Sequence, residues 1–294
     1  MHRHHASVLI GAAGWLLLAA ASLARATPTG ATGAPAPGAA PVVASAPSAA
    51  APASSAPFTV LITGSSRGIG FELARQYAEA GWTVIATARR PAESRALVEL
   101  AAAHRNVRLE PLDVVDGASV TALAQRLAGV PIDVLLNNAG DTDEFRGQSF
   151  QQLAHERFGY LMELNAHGPI RVSEALFANV EAGRQKKIVA VSSLAGSFGA
   201  KGGGMPGGYW YKSSKAALDM LMLTLAQDVR PKGVIVACLS PGQVDTHGYA
   251  ARGMNMPGMV DVRVSVEGLR RVIDGLTMER SGTFIRYSGE PVPW

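Results

Sequence analysis

Six short apolar runs, separated by stretches of helical periodicity, constrain this chain more than any other feature. They read FTVLI, WTVIATA, VRLEPLDV, IDVLLNNAG, KKIVAVSS and GVIVACLSPG, and lie between Phe58 and Gly242. Between them come GFELARQYAEAG, AESRALVELAAAH, SVTALAQRLAG and YKSSKAALDMLMLTLAQDVR, whose apolar residues recur at helical spacing. Strand and helix in alternation require parallel strands joined by right-handed crossovers, with helices on both faces of the sheet. The runs are nearly continuous in apolar residues, as strands buried on both faces are. The expectation is an α/β fold, one doubly wound parallel sheet of about seven strands flanked by helices, over residues 58–294. A hydrophobic share of 48% is enough for such a core, and no repeat at solenoid spacing competes with it.

The first 57 residues obey other rules. MHRHH is a short basic start, SVLIGAAGWLLLAAASLA an apolar run, and Ala24, Arg25, Ala26 a small-x-small tripeptide of the kind a signal peptidase cleaves. Residues 1–26 are therefore expected to be a secretory signal, or an N-terminal membrane anchor, since the run approaches the ~20 residues a spanning helix needs. Either places the protein outside the cytoplasm or on a membrane; a start codon assigned too early would instead leave it cytoplasmic. His2, His4 and His5 read as an ordinary leader rather than a metal site, and no metal is expected. Residues 27–57 carry no charge and almost nothing large, which predicts an Ala/Pro-rich disordered linker. The net charge of +4 comes with no basic block, which argues against a nucleic-acid partner. A single cysteine, Cys238, excludes an internal disulfide and leaves the redox compartment open.

The turn after the first run is TGSSRGIG, Thr63–Gly70. Gly64, Gly68 and Gly70 permit a tight turn and a close backbone approach. Ser66, Arg67 and Ile69 lie where the following helix offers free amides and a positive dipole end to a pyrophosphate. The second run ends in ATARR, with Arg89 and Arg90 and no carboxylate to take a ribose 2′-hydroxyl. With Arg67 close by, this favours NADP(H) over NAD(H), which remains possible. Asp113, with Val114 beside it, follows the third run, where a carboxylate can accept from an adenine amino group. Asn138, Ala139 and Gly140 close the fourth run, at the edge where an open parallel sheet binds its ligand.

Further on, Asn165 sits in a helical stretch before a Gly-Pro break, and Ser193 ends the fifth run. Tyr211 and Lys215, four apart, share one helical face. Together these residues suit hydride exchange at a carbonyl or alcohol. A phenol of pKa about 10 gives protons readily but is a poor base near neutrality, and a nearby ammonium is expected to lower that value. Ser193 can hydrogen-bond the substrate oxygen. Asn165 can hold a water linking Lys215 to solvent, and Lys215 can also reach the nicotinamide ribose. A Y-x-x-x-K pair alone is common by chance; its value lies in its company. Tyr209 faces Ser213 instead of a charge, and is expected to shape the pocket wall.

The ordered set TGSSRGIG, NNAG, Asn165, Ser193, YKSSK and SPGQVDT resembles the short-chain dehydrogenase/reductase family across residues 58–294. The resemblance implies one Rossmann domain and a catalytic tetrad of Asn165, Ser193, Tyr211 and Lys215. It also implies contact of Pro241, Gly242, Val244 and Thr246 with the nicotinamide end, and a dimer or tetramer formed through the helix at Tyr211. SSLAGSFGAKGGGMPGGYWYKSSKAAL and the ending GEPVPW resemble more narrowly the C-factor and sniffer-type carbonyl reductase branch. There the glycine-rich insert lengthens the interval from Ser193 to Tyr211, and Ser197 lies nearer the usual spacing. Ser193 is preferred because it directly ends the strand. The implied substrate is a small carbonyl compound or secondary alcohol. The alternative is a C-factor-like signalling or cofactor-sensing protein with little turnover. Met254, Met256 and Met259 fall where such enzymes carry a substrate lid.

Overall fold

The computed structural model describes residues 56–246 and 258–294. The expected signal, nearly all of the linker, and Met254 and Met256 of the expected lid lie outside the described residues. Seven parallel strands form the main sheet: β1 (Thr59–Ile62), β2 (Thr83–Ala88), β3 (Val107–Pro111), β4 (Val134–Asn137), β5 (Lys187–Val191), β6 (Ile235–Ser240) and β7 (Thr283–Arg286). Their spatial order is β3-β2-β1-β4-β5-β6-β7. The winding reverses between β1 and β4, which opens a crevice at the carboxyl ends of those strands.

Alternation along each strand divides the core in two. Leu61, Ile85, Leu135, Ile188 and Val236 point to one face. There they meet α3 (Gly117–Arg126), α5 (Gly168–Ala175) and α7 (Tyr209–Val229) through Leu123, Val172, Leu218 and Met222. Val60, Ile62, Val84, Leu136 and Val189 point to the other. That face is covered by α1 (Gly68–Glu79), α2 (Arg95–Ala103) and α8 (Val262–Asp274), with Leu73, Leu97 and Leu269 among the contacts. Between α4 (Glu156–Met162) and α5 the chain passes through a π-turn, Glu163–His167, and the short α6 (Phe177–Glu181) follows α5. Among the described residues no helix is long and apolar enough to cross a membrane.

The chain end belongs to the sheet. Val292 N–H donates to Phe284 O at 2.8 Å, and the Trp294 ring lies 5.6 Å from that of Phe284. Gly199 N–H donates to Trp294 O at 2.8 Å, so the tail closes against the loop that follows β5.

Candidate active site

A cleft of about 340 Å³ opens at the reversal point, within the size range of small-ligand sites. Its lining includes Gly64, Ser66, Arg67, Gly68, Ile69, Gly70, Arg89, Asp113, Val114, Asn138, Ala139, Gly140, Tyr211, Lys215, Pro241 and Thr246. Gly242 and Val244 are not part of it, nor are Ser193 and Asn165. Gly242 abuts the Tyr287 ring, and Val244 pairs with Val260 in a two-residue ladder.

Backbone builds the first half of the cleft. Gly64 has φ +69°, and a Cβ there would stand 2.8 Å from Ala139 Cα. A Cβ at Gly70 would lie 2.2 Å from Gly64 O. Only glycine lets these segments approach. The Thr63 hydroxyl accepts from the Asn138 and Ala139 amides, both at 2.9 Å, and Asn138 Nδ2 donates back to Thr63 O at 2.9 Å. At the start of α1 no side chain caps the helix, and its first turn holds no acidic residue. The orphan amides of that turn, with the positive end of the helix dipole, suit an anion. Arg67 and Arg89 are exposed on the cleft and make no ion pair among the described residues, whereas Arg90 is drawn off to Glu93 at 3.0 Å. Asp113 Oδ1 accepts from the Val115 amide at 3.2 Å. A dinucleotide therefore fits what these residues offer: amides for phosphates, cations for a further phosphate, a carboxylate for a base.

The second half is assembled from side chains far apart in sequence. Gly208, at φ +71°, turns the chain into α7, and Tyr211 N–H donates to Gln148 Oε1 at 2.8 Å. Gln148 is buried and donates to Thr142 O at 2.9 Å, which ties the helix start to the loop after β4. In that loop Glu144 and Phe145 hold positive φ of 49° and 57°, strained for non-glycine residues. The Phe145 ring meets that of Tyr211 edge-on at 5.5 Å. The Ser193 hydroxyl stands near enough to the Tyr211 phenol to favour its ionised form, and accepts from Ala195 N–H at 3.2 Å. Ser197 is committed elsewhere: its hydroxyl donates to Pro293 O and accepts from Ala200 N–H. The tail thus explains why the serine at the more usual spacing is the one that does not face the tyrosine.

Lys215 is buried and donates to Val191 O at 2.9 Å; its Nζ lies 5.9 Å from the Tyr211 ring centroid. Burial, opposed by the Asp219 carboxylate, brings the ammonium down to about 8. The Tyr211 phenol is raised rather than lowered: burial dominates, the Ser193 hydroxyl opposes it, and the charges of Asp219 and Asp141 add to the rise. The sequence-based expectation of a lowered phenol is thereby corrected, because withdrawal from water dominates and the two carboxylates add to it. Asn165, in the π-turn, is fully buried. Its Oδ1 accepts from Asp141 N–H at 2.9 Å, and Nδ2 donates to Asp141 O at 2.8 Å and Ser214 Oγ at 3.0 Å. One Oδ1 lone pair remains for a water.

Gln148, Asp219, Ser214 and Phe145 escaped the sequence reading. Tyr209 is not in the pocket wall: it is 41% exposed and stacks on Phe150 at 6.4 Å. Polar residues on the buried side of an apolar-periodic helix, as Ser214 and Asp219 are, were the available signal.

Residues 58–255 match the family model for short chain dehydrogenases. The C-signal of Myxococcus xanthus is 36% identical over 173 residues, covering 59% of this chain and 99% of that protein. The structure of NADPH-bound carbonyl reductase from chicken fatty liver superposes with a TM-score of 0.73 at 29% identity, covering 81% of this chain and all of that one. The carbonyl reductase Sniffer of D. melanogaster shares the fold, with a TM-score of 0.72 at 24% identity over 81% of this chain and 100% of its own.

Proposed function

The chain belongs to the short-chain dehydrogenase family, among its C-factor-like members, and from that premise we propose that it is an NADP(H)-dependent oxidoreductase acting on a carbonyl or secondary alcohol. A bound nicotinamide supplies or accepts the hydride. The residues of the chain do the rest. Tyr211 gives its phenolic proton to the oxygen that becomes the alcohol, and the Ser193 hydroxyl orients that oxygen. Lys215 keeps positive charge beneath the phenol, so that the phenolate left behind is stabilised. Asn165 holds the Gly140–Asp141 segment in place and offers its remaining lone pair to a water that can return a proton. The amides of Gly68, Ile69 and Gly70 would hold the pyrophosphate, and Arg67 and Arg89 a ribose 2′-phosphate. The NADPH found in the chicken reductase supports that preference.

The observation that carries this reading is the convergence of Tyr211 and Lys215 on the same cleft as the glycine turn, Arg67 and Arg89. The test is carbonyl-dependent NADPH oxidation over a panel of aldehydes and ketones. Turnover with at least one of them, faster with NADPH than with NADH, is the expected result. A second reading has one observation in its favour: similarity to a protein named for signalling, along almost its whole length. It predicts tight NADP(H) binding and no turnover with any carbonyl.

A further inference from the structure

Below the tetrad lies a buried carboxylate with no part in the steps above. Asp219 stands in α7 one helical turn beyond Lys215, with 4% of its surface exposed. Among the described residues neither of its oxygens, nor the Ser192 hydroxyl, meets hydrogen-bond geometry, although Ser192 and the Cys238 thiol lie near enough to favour the ionised carboxylate. Buried carboxylates are ordinarily bonded or paired, and an isolated one is costly to keep. The fold makes room for it: a Cβ on Gly196 would stand 2.7 Å from Asp219 Oδ2. Gly196 belongs to the same turn that presents Ser193, so the carboxylate is packed against the catalytic serine's own loop.

The ionisable neighbours of Asp219 are few. Lys215 faces it from its own helix and Cys238 from β6, and its charge also reaches the Tyr211 phenol. Asp141 acts on that phenol too. Among the described residues Lys215 has no carboxylate within ion-pairing distance, and its hydrogen bond goes to the neutral Val191 carbonyl. Burial pushes the Lys215 ammonium down and the Asp219 carboxyl up, to about 8 and about 6, and each charge opposes the shift of the other. Between those values both are ionised.

We propose that Asp219 is a positioning residue: its buried carboxylate holds the Lys215 ammonium in the charged state that the tetrad requires. This rests on the reading of Lys215 given under Proposed function, and deepens it. With the carboxylate gone, burial acts on Lys215 with only the lesser influence of Cys238 against it, and the lysine loses its proton at lower pH. Activity then fails on the alkaline side first.

The test uses the full chain with isotopically labelled lysine, the Lys215 signal being assigned with Lys215→Met. Asp219→Asn is the isosteric change. Asp219→Leu is the second variant, which removes the charge and the polar atoms together. In either, the Lys215 titration midpoint is expected to fall by about one pH unit, a tenfold change in the ratio of charged to neutral lysine. The alkaline limb of kcat should move by the same amount, with KM little changed and activity at pH 6 retained. An unchanged midpoint overturns the proposal. A shifted midpoint with an unmoved kcat limb leaves the hold of Asp219 on Lys215 standing and overturns instead the catalytic use of Lys215.

Discussion

The two halves of the cleft are built by different means. Under β1 and β2 the working groups are backbone amides and two arginines, all supplied by the turn after one strand and the end of the next. Under β4, β5 and β6 each working side chain is held by a residue remote in sequence. Gln148 accepts from Tyr211 across 63 positions, Asn165 donates to Ser214 across 49, and Lys215 reaches Val191 across 24. A backbone cradle needs a local motif; a tuned acid needs tertiary structure.

Substitutions should separate the halves. The largest effect belongs to Tyr211→Phe: kcat should fall by about 10²- to 10⁴-fold, the usual contribution of a positioned acid. NADPH affinity, read by fluorescence titration, should stay within about twofold. A comparable loss of affinity would mean that the halves are not independent. Gly70→Ala acts on the other side. Its Cβ would be driven against Gly64 O, so calorimetry should show NADPH binding weakened by at least about tenfold, together with a lower Tm. Arg89→Ala sharpens the nucleotide half further. Loss of one charge-assisted contact should weaken NADPH by about tenfold and leave NADH unchanged; equal losses for both would remove the argument for a 2′-phosphate. The smallest effect is that of Gln148→Ala, which leaves the Tyr211 amide without its cap. At about 1 kcal/mol it should lower kcat/KM several-fold, mainly through kcat, with NADPH affinity unmoved.

The same contrast explains what could be read from the chain. The continuous apolar runs determine a parallel sheet buried on both faces, and TGSSRGIG lies where the topology puts its crevice. Ser193 was separable from Ser197 only by its place at the strand end; the contact that decides it, Ser197 to Pro293, joins segments 96 residues apart. Gln148 was unreadable because its two-residue ladder with Leu153 has no periodicity to announce it. Asp219 had a signal that was passed over, a carboxylate four positions beyond Lys215 on the same helical face. The phenol's raised state was beyond any motif, since it depends on how much water the assembled cleft excludes. Tyr209 misled for the opposite reason: nearness in sequence to Tyr211 suggested a shared pocket, while the helix turns its ring outward onto Phe150.

The central claim is that this cleft moves hydride with Tyr211 as proton donor. The most direct measurement is a single turnover of the full chain with NADPH deuterated at the transferable position, over the carbonyl panel, with the product read by mass spectrometry. Deuterium carried into an alcohol by the wild type, and into none by Tyr211→Phe with cofactor bound, is the predicted result. Bound, undischarged NADPH with every carbonyl offered would contradict it.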